Sequence, residues 1–177
     1  MSKKILFCGG GNMAEGIIRS LIKKDVVKSE DITVSELNPA RCDYLKETYG
    51  VQALTDAAEA MKTADMAVIA VLPKIVPVVA AGLKDNVRKD AVIMSIAAGV
   101  KIETLEGYLG VDRKIIRVMP NTLGQSGNGH SAVCLNSNVT EEEKEFADKV
   151  LSALGQTMYL AENMFKEFTA YSCSGPM

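Results

Sequence analysis

Basic clusters and regularly spaced metal ligands are both missing from this sequence. Among its 177 residues, 20 Lys and Arg nearly balance 22 Asp and Glu, which gives a net charge of −2. No Lys/Arg run interleaved with aromatic residues supplies the basic face typical of nucleic-acid binders. The four cysteines form no C-x-x-C pair, and the single histidine, His130, falls short of the three or four ligands of a zinc site. We expect no nucleic-acid partner and no metal.

Several catalytic signatures are also missing. The chain has no Tyr-x-x-x-Lys pattern, which excludes the short-chain dehydrogenase mechanism, and it has neither a G-x-S-x-G nor a P-loop pattern. The residues alone therefore identify no catalytic side chain, and the proton donor of any reaction stays unknown.

One apolar stretch reaches the lower length limit of a membrane helix. Residues 66–83 carry a single charge, Lys74, but Pro73 would break a continuous helix near its middle. A buried strand, a turn and a helix fit this stretch better. The four apolar residues that follow Lys4 are too few for a secretory signal. We therefore expect no membrane association and a cytoplasmic location.

Short apolar runs alternate with helical patterns along the chain. This alternation predicts an α/β fold with a mostly parallel sheet and helices on both faces. Residues 1–161 are expected to form this domain, and residues 162–177 begin a further helical pattern that runs out. The predicted strands are 5–8, 32–35, 65–71, 91–96, 115–119, 131–135 and 158–160, and Gly155 is expected to end the helix that begins after Thr140.

The strongest local signal is a glycine-rich turn between the first strand and the first helix. It has the form G-x-G-x-x-A, with Gly9, Gly11 and Ala14 at the defined positions. Gly9 permits the tight turn, Gly11 lets the backbone approach a pyrophosphate, and Ala14 allows close packing of helix on strand. The helix N-terminus adds free N–H groups and a positive dipole end. The pattern predicts a Rossmann-type, doubly wound domain that binds a dinucleotide.

An acidic residue closes the second strand, where the adenine ribose of NAD would lie. Glu36 stands 22 residues after Ala14, and a carboxylate there binds ribose hydroxyls and repels the extra phosphate of NADP. The sequence is equally compatible with Glu36 being a solvent-exposed residue of a turn, without a role in binding. Arg41 and Asn38 follow closely and could instead bind a 2′-phosphate, so the choice between NAD and NADP stays open.

Loops after three later strands are rich in small residues, Pro and Gly. They are Ala70–Pro73, Ser95–Gly99 and Met119–Thr122. Ligands of open parallel sheets lie beyond the carboxyl ends of the strands, where such loops let backbone groups approach a flat ring. The sequence therefore predicts a nicotinamide site at this edge.

The sequence resembles the pyrroline-5-carboxylate reductase family along its whole length. The resemblance rests on five segments in order: Gly9–Met13, Ala70–Pro73, Ser95–Val100, Arg117–Thr122 and Ser172–Pro176. It implies reduction of the ring C=N of 1-pyrroline-5-carboxylate to L-proline, the last step of proline biosynthesis, with hydride from NADH or NADPH. It also implies a homo-oligomer for full-length members.

The resemblance further implies roles for individual residues. Those expected to hold the cofactor are Gly9, Gly10, Gly11, Asn12 and Met13 at the pyrophosphate, Glu36 at the ribose, and Ala70, Val71, Leu72, Pro73, Ala97 and Ala98 at the nicotinamide. Those expected near the substrate are Asn121, Ser174 and Gly175.

Two departures from the family pattern stand out. The family usually has Gly where this chain has Cys173, whose side chain could crowd a loop that binds the substrate carboxylate. Family members also continue past this loop into a helical dimerisation domain that these 177 residues do not contain. Two alternatives therefore stay open: a truncated chain that binds NAD(P)H without turnover, and a related hydroxyacid or F420-linked reductase.

Overall fold

A computed structural model describes residues 3–121 and 129–172 of the chain. Within these residues, the strands are β1 (Ile5–Cys8), β2 (Ile32–Ser35), β3 (Gln52–Leu54), β4 (Met66–Ile69), β5 (Val92–Ser95), β6 (Lys114–Pro120), β7 (Gly129–Leu135) and β8 (Gly155–Tyr159). The helices are α1 (Asn12–Lys23), α2 (Pro39–Tyr49), α3 (Ala58–Thr63), α4 (Val76–Asn86), α5 (Ile102–Leu109), α6 (Glu141–Ser152) and α7 (Phe165–Ser172).

All eight strands belong to one sheet in the order β3-β2-β1-β4-β5-β6-β7-β8. The first six are mutually parallel, β7 pairs antiparallel with β6, and β8 runs parallel to β7. The strand order reverses direction at β1, so the carboxyl ends of β1 and β4 flank a crevice. In doubly wound sheets, this is where ligands bind. The predicted α/β fold is confirmed.

Helices cover both faces because alternate side chains of each buried strand point to opposite sides of the sheet. In β1, Ile5 and Phe7 pack into one core with α1, α2 and α6. Leu6 and Cys8 pack into a second core with α4 and α5. Both cores are apolar and mainly aliphatic, and helices therefore cover the sheet on either side of the crevice.

The stretch 66–83 is divided as the sequence predicts. It forms β4, a short 3₁₀ turn at Pro73–Ile75 and then most of α4. Among the described residues, none of the helices combines the length and the apolar character needed to cross a membrane.

Two details differ from the sequence-based expectation. The sequence analysis missed β3, whose central residue Ala53 alone is buried, so its three residues carry almost no apolar pattern. Gly155 does not end the preceding helix, which stops at Ser152. It begins β8 instead, with a φ of 130°, and a Cβ built on it would lie 2.1 Å from the carbonyl oxygen of Gly129. This close approach of two strands is what requires a glycine there.

Candidate functional site

The glycine-rich turn packs directly against the end of β4. Gly9 has a φ of 106°, and its N–H donates to the carbonyl oxygen of Ser35 at 2.9 Å. A Cβ built on Gly9 would lie 2.5 Å from the carbonyl oxygen of Ala70. A side chain at this position is excluded by both the backbone conformation and the neighbouring strand.

The N-terminus of α1 opens towards solvent. Gly11 is its N-cap, and within the described part of the chain no side chain caps the helix there. A Cβ built on Gly11 would meet no atom within 4 Å, in contrast to Gly9. The unoccupied space lies where first-turn N–H groups and the helix dipole favour an anion.

Glu36 lies beside the turn and is held by two backbone amides. Its Oε2 accepts a hydrogen bond from Gly10 N–H, and its Oε1 accepts one from Asn38 N–H, both at 2.9 Å. The side chain therefore presents a fixed, half-buried carboxylate at the carboxyl end of β2. This is the position at which the sequence analysis placed a ribose-binding acid.

Two cavities lie on either side of the glycine turn. The first, about 300 Å³, is mainly apolar and has Gly9, Glu36 and Val71 in its wall. The second, about 380 Å³, extends across the carboxyl ends of β4, β5 and β6. A dinucleotide consists of two nucleosides joined by a pyrophosphate, and two cavities separated by an anion-favouring turn match that shape.

Most residues predicted to bind the cofactor are brought together here. Those in the wall of the second cavity are Gly11, Asn12, Met13, Ala70, Val71, Leu72, Pro73, Ala97 and Ala98. Gly10 lines neither cavity and is buried, and a Cβ built on it would lie 2.9 Å from the Leu45 side chain. These positions agree with the predicted grouping, while their contact with a cofactor stays a prediction.

Asn121 follows β6 and is nearly inaccessible, with 2% of its surface exposed. Its Oδ1 accepts a hydrogen bond from His130 N–H at 3.2 Å, which fixes the orientation of the carboxamide. Its Nδ2 finds no acceptor among the described residues. A buried donor without an acceptor costs about 1–3 kcal/mol. Asn121 does not line either of the two cavities. Ser174 and Gly175, the other predicted substrate residues, lie outside the described residues.

The sequence analysis missed the apolar wall of the first cavity. Leu37, Ile75 and Val78 line it, and Leu37 and Val78 are 85% and 72% exposed. Ile75 and Val78 are three residues apart, while the core side of the same segment is Val76, Ala80 and Leu83. A second apolar stripe beside the core stripe was the signal available in the sequence.

The cavity residues include one thiol, Cys8, at the end of β1. Burial raises the pKa of the Cys8 thiol to about 12, so it stays protonated at neutral pH. A protonated thiol is a poor nucleophile, and the cavity wall is otherwise aliphatic or backbone apart from Ser35 and Glu36. The arrangement suits binding and orientation of a ligand rather than covalent catalysis.

Comparison with known proteins places these features in a family context. Residues 4–99 match the family model described as NADP oxidoreductase coenzyme F420-dependent. The chain is 36% identical over 177 residues to the pyrroline-5-carboxylate reductase of Synechocystis sp., and 35% identical over 176 residues to that of Escherichia coli. In both comparisons it covers 99% of its own length and 65% of the relative.

Solved structures show the same similarity. A pyrroline-5-carboxylate reductase from Coxiella burnetii superposes with a TM-score of 0.93 at 31% identity, covering 99% of this chain and 66% of that one. The Plasmodium falciparum pyrroline carboxylate reductase, solved with NADP bound, gives 0.85 at 26% identity, with 96% and 62% covered. The resemblance deduced from the sequence is confirmed. The chain spans just under two thirds of the length of these relatives.

Proposed function

Because the chain belongs to the NADP oxidoreductase, coenzyme F420-dependent family, we propose that it binds a reduced nicotinamide dinucleotide and reduces 1-pyrroline-5-carboxylate to L-proline. The observation that carries the binding step is the open helix N-terminus at Gly11 between two cavities. The reductase names of the relatives support the reaction. The family model ends at residue 99, before β6. It therefore supports the proposed cofactor more directly than the proposed substrate.

The residues present fit such a cofactor. Gly9–Met13 would hold the pyrophosphate, Glu36 the adenine ribose, and Ala70–Pro73 with Ala97 and Ala98 the nicotinamide. Gly9 and Gly10 donate their N–H groups to Ser35 and Glu36, so the groups that suit an anion are the N–H groups in the first turn of α1. Around the nicotinamide, small residues such as Ala97 and Ala98 let a flat ring approach. When bound, the cofactor supplies hydride.

The protein's part in this reaction is orientation and exclusion of water. Reduction adds a hydride to the ring carbon of the C=N bond and a proton to the nitrogen, which converts the imine to the secondary amine of proline. A protonated imine is already electrophilic, so positioning contributes most of the rate. Asn121, whose amide Nδ2 has no acceptor among the described residues, is proposed to face the substrate region together with Ser174 and Gly175.

The test is an absorbance assay at 340 nm with NADH or NADPH and 1-pyrroline-5-carboxylate, with proline identified by mass spectrometry. Loss of absorbance matched by proline formation supports the reductase. No loss of absorbance from a chain that binds the cofactor would contradict it.

The second candidate is a dinucleotide-binding chain without turnover. It is favoured by one observation, that the family model matches residues 4–99, the part of the chain that holds most of the proposed cofactor site. Under this alternative, NAD(P)H binds saturably and no proline forms. We further propose that residues 1–161 are the cofactor domain and that 162–177 begin a helical one. The family resemblance implies a homo-oligomer, and light scattering tests the oligomeric state of this chain.

A cytoplasmic reaction is part of the proposal. Cys8, Cys42 and Cys134 are free thiols, and Cys8 and Cys42 are buried. Free thiols are the usual state of cysteine in the reducing cytosol.

A further inference from the structure

Glu162 contacts two elements that continue into the wall of the second cavity. Residues 96–98, after β5, form one part of that wall, and residues 119 and 120, at the end of β6, form another. The first part leads into α5, which begins at Ile102, and the second part follows Arg117 on β6. Glu162 is hydrogen-bonded to both Ile102 and Arg117, so it joins the two parts from outside the cavity.

One oxygen of the Glu162 carboxylate accepts both hydrogen bonds. Its Oε1 accepts from the backbone N–H of Ile102 at 2.8 Å and from Nη1 of Arg117 at 2.8 Å. Lys101, the N-cap residue of α5, makes no side-chain capping bond within the described residues. Glu162 therefore supplies, from a distant part of the chain, the acceptor and the negative charge that a helix N-terminus favours.

This contact is largely removed from water. The side chain of Arg117 is 9% exposed and that of Glu162 is 25% exposed. Phe165 is buried, and the Arg117 guanidinium lies 4.3 Å from the centre of its ring. Hydrogen bonds between charged groups are about twice as strong as neutral ones, and burial limits their screening by salt. The start of α5 is therefore firmly tied to β6.

The first cavity has no part in this arrangement. Its lining residues in the described part of the chain all lie between Cys8 and Gly82. Neither α5, β6 nor the segment after β8 contributes to its wall. A change at Glu162 is therefore expected to affect the second cavity and to leave the first one intact.

We infer that Glu162 is a positioning residue for the second cavity, where its carboxylate holds the loop after β5 and the end of β6 in the arrangement that accepts the nicotinamide ring. The inference rests on the proposed function, which places the nicotinamide in this cavity. Glu162 acts through Ile102 and Arg117 and not by contact with the cofactor. The segment that begins at residue 162 thereby gains a part in cofactor binding.

The experiment compares NADH with ADP-ribose, which has the adenosine and the pyrophosphate of the cofactor but lacks the nicotinamide ring. Isothermal titration of the 177-residue chain measures both dissociation constants for wild type and three variants. Glu162→Ala is expected to weaken NADH binding roughly tenfold and ADP-ribose binding less than about twofold, because a displaced wall loses contact with the nicotinamide alone.

Two further variants make the comparison specific. Glu162→Gln keeps an oxygen that can accept from Ile102 and Arg117, so it should recover part of the lost NADH affinity. Glu167→Ala is the matched control, since Glu167 is exposed on α7. It should leave both dissociation constants unchanged.

The outcomes are separable. Unchanged NADH binding in Glu162→Ala, or equal weakening of NADH and ADP-ribose, would overturn the inference and leave the proposed function standing. Wild type that binds NADH no more tightly than ADP-ribose would overturn it as well. Binding of neither ligand by a folded wild-type chain would contradict the proposed function itself. If thermal unfolding shows that Glu162→Ala does not fold, Glu162→Gln decides the question by the same comparison of the two ligands.

Discussion

A substitution at Gly11 can test the proposed cofactor site without disturbing the fold. Replacing Gly11 with Val is expected to abolish dinucleotide binding, because the added side chain would occupy the space where the pyrophosphate approaches. The fold should persist, since a Cβ at Gly11 meets no atom within 4 Å. Isothermal titration with NADH and thermal unfolding measure the two effects.

The control for this change is Gly107→Val. Gly107 is exposed on α5, has the same free space around its Cβ position and lines neither cavity beside the turn. The Gly107→Val variant should bind NADH with the same affinity as wild type. Retained affinity in Gly11→Val would show that the site lies elsewhere.

The stability of the protein is expected to depend on the ionisation of Glu15. Burial raises the pKa of this carboxyl, but hydrogen bonds from Tyr49, Arg41 and Tyr44 lower it below its usual value. Because its native pKa is lowered, the ionised carboxylate contributes stability above its unfolded pKa of about 4.3, and that contribution is lost as the pH falls through the native value. The unfolding free energy of Glu15→Gln should lie below that of wild type at pH 7, and the gap should narrow at pH 3.5. Urea titrations measure it, with Glu47→Gln, an exposed change on α2, as the reference. A gap that does not change with pH would contradict an ionic interaction between Glu15 and Arg41.

At the scale of elements, α7 is attached to the sheet by one buried cation. Arg117 on β6 pairs with Glu162 at 2.8 Å, and its guanidinium stacks 4.3 Å from the Phe165 ring centre. The same Glu162 carboxylate accepts from Ile102 N–H at 2.8 Å, which ties the segment to α5. These contacts hold the segment after β8 against β6 and α5.

Replacing Arg117 with Leu is expected to lower the free energy of unfolding by about 3 kcal/mol, because Glu162 would be left without its buried partner. Lys62→Leu removes one partner of an exposed pair with Glu59 and should cost less than about 0.5 kcal/mol. Chemical denaturation of the two variants gives the comparison. Equal costs would show that Arg117 does not anchor α7.

The elements that sequence reasoning located well are those with strong local patterns. β1 and β2 were predicted with the bounds that the structure has, since each is a short apolar run before a turn signal. β3 was not predicted, because this three-residue edge strand buries only one side chain and so has no apolar pattern to detect. Gly155 was misassigned because its requirement comes from Gly129 across the sheet, which is not visible in the local sequence.

At the scale of the whole molecule, one part of the candidate site could be predicted from local sequence patterns and another part could not. The glycine turn and the loops after β4 and β5 could be identified from sequence because their residue types are set by backbone approach. The ion pair between Glu15 and Arg41 beside the glycine turn could not, because these residues are 26 positions apart and meet only once α1 and α2 pack on one face.

The most direct test of this account is a titration of the folded 177-residue chain with NADH, followed by the enhancement of nicotinamide fluorescence. The account predicts saturable binding to one site per chain, and loss of that binding in Gly11→Val with cooperative unfolding retained. A cooperatively unfolding chain that shows no saturable change with NADH or NADPH would contradict the proposed cofactor site.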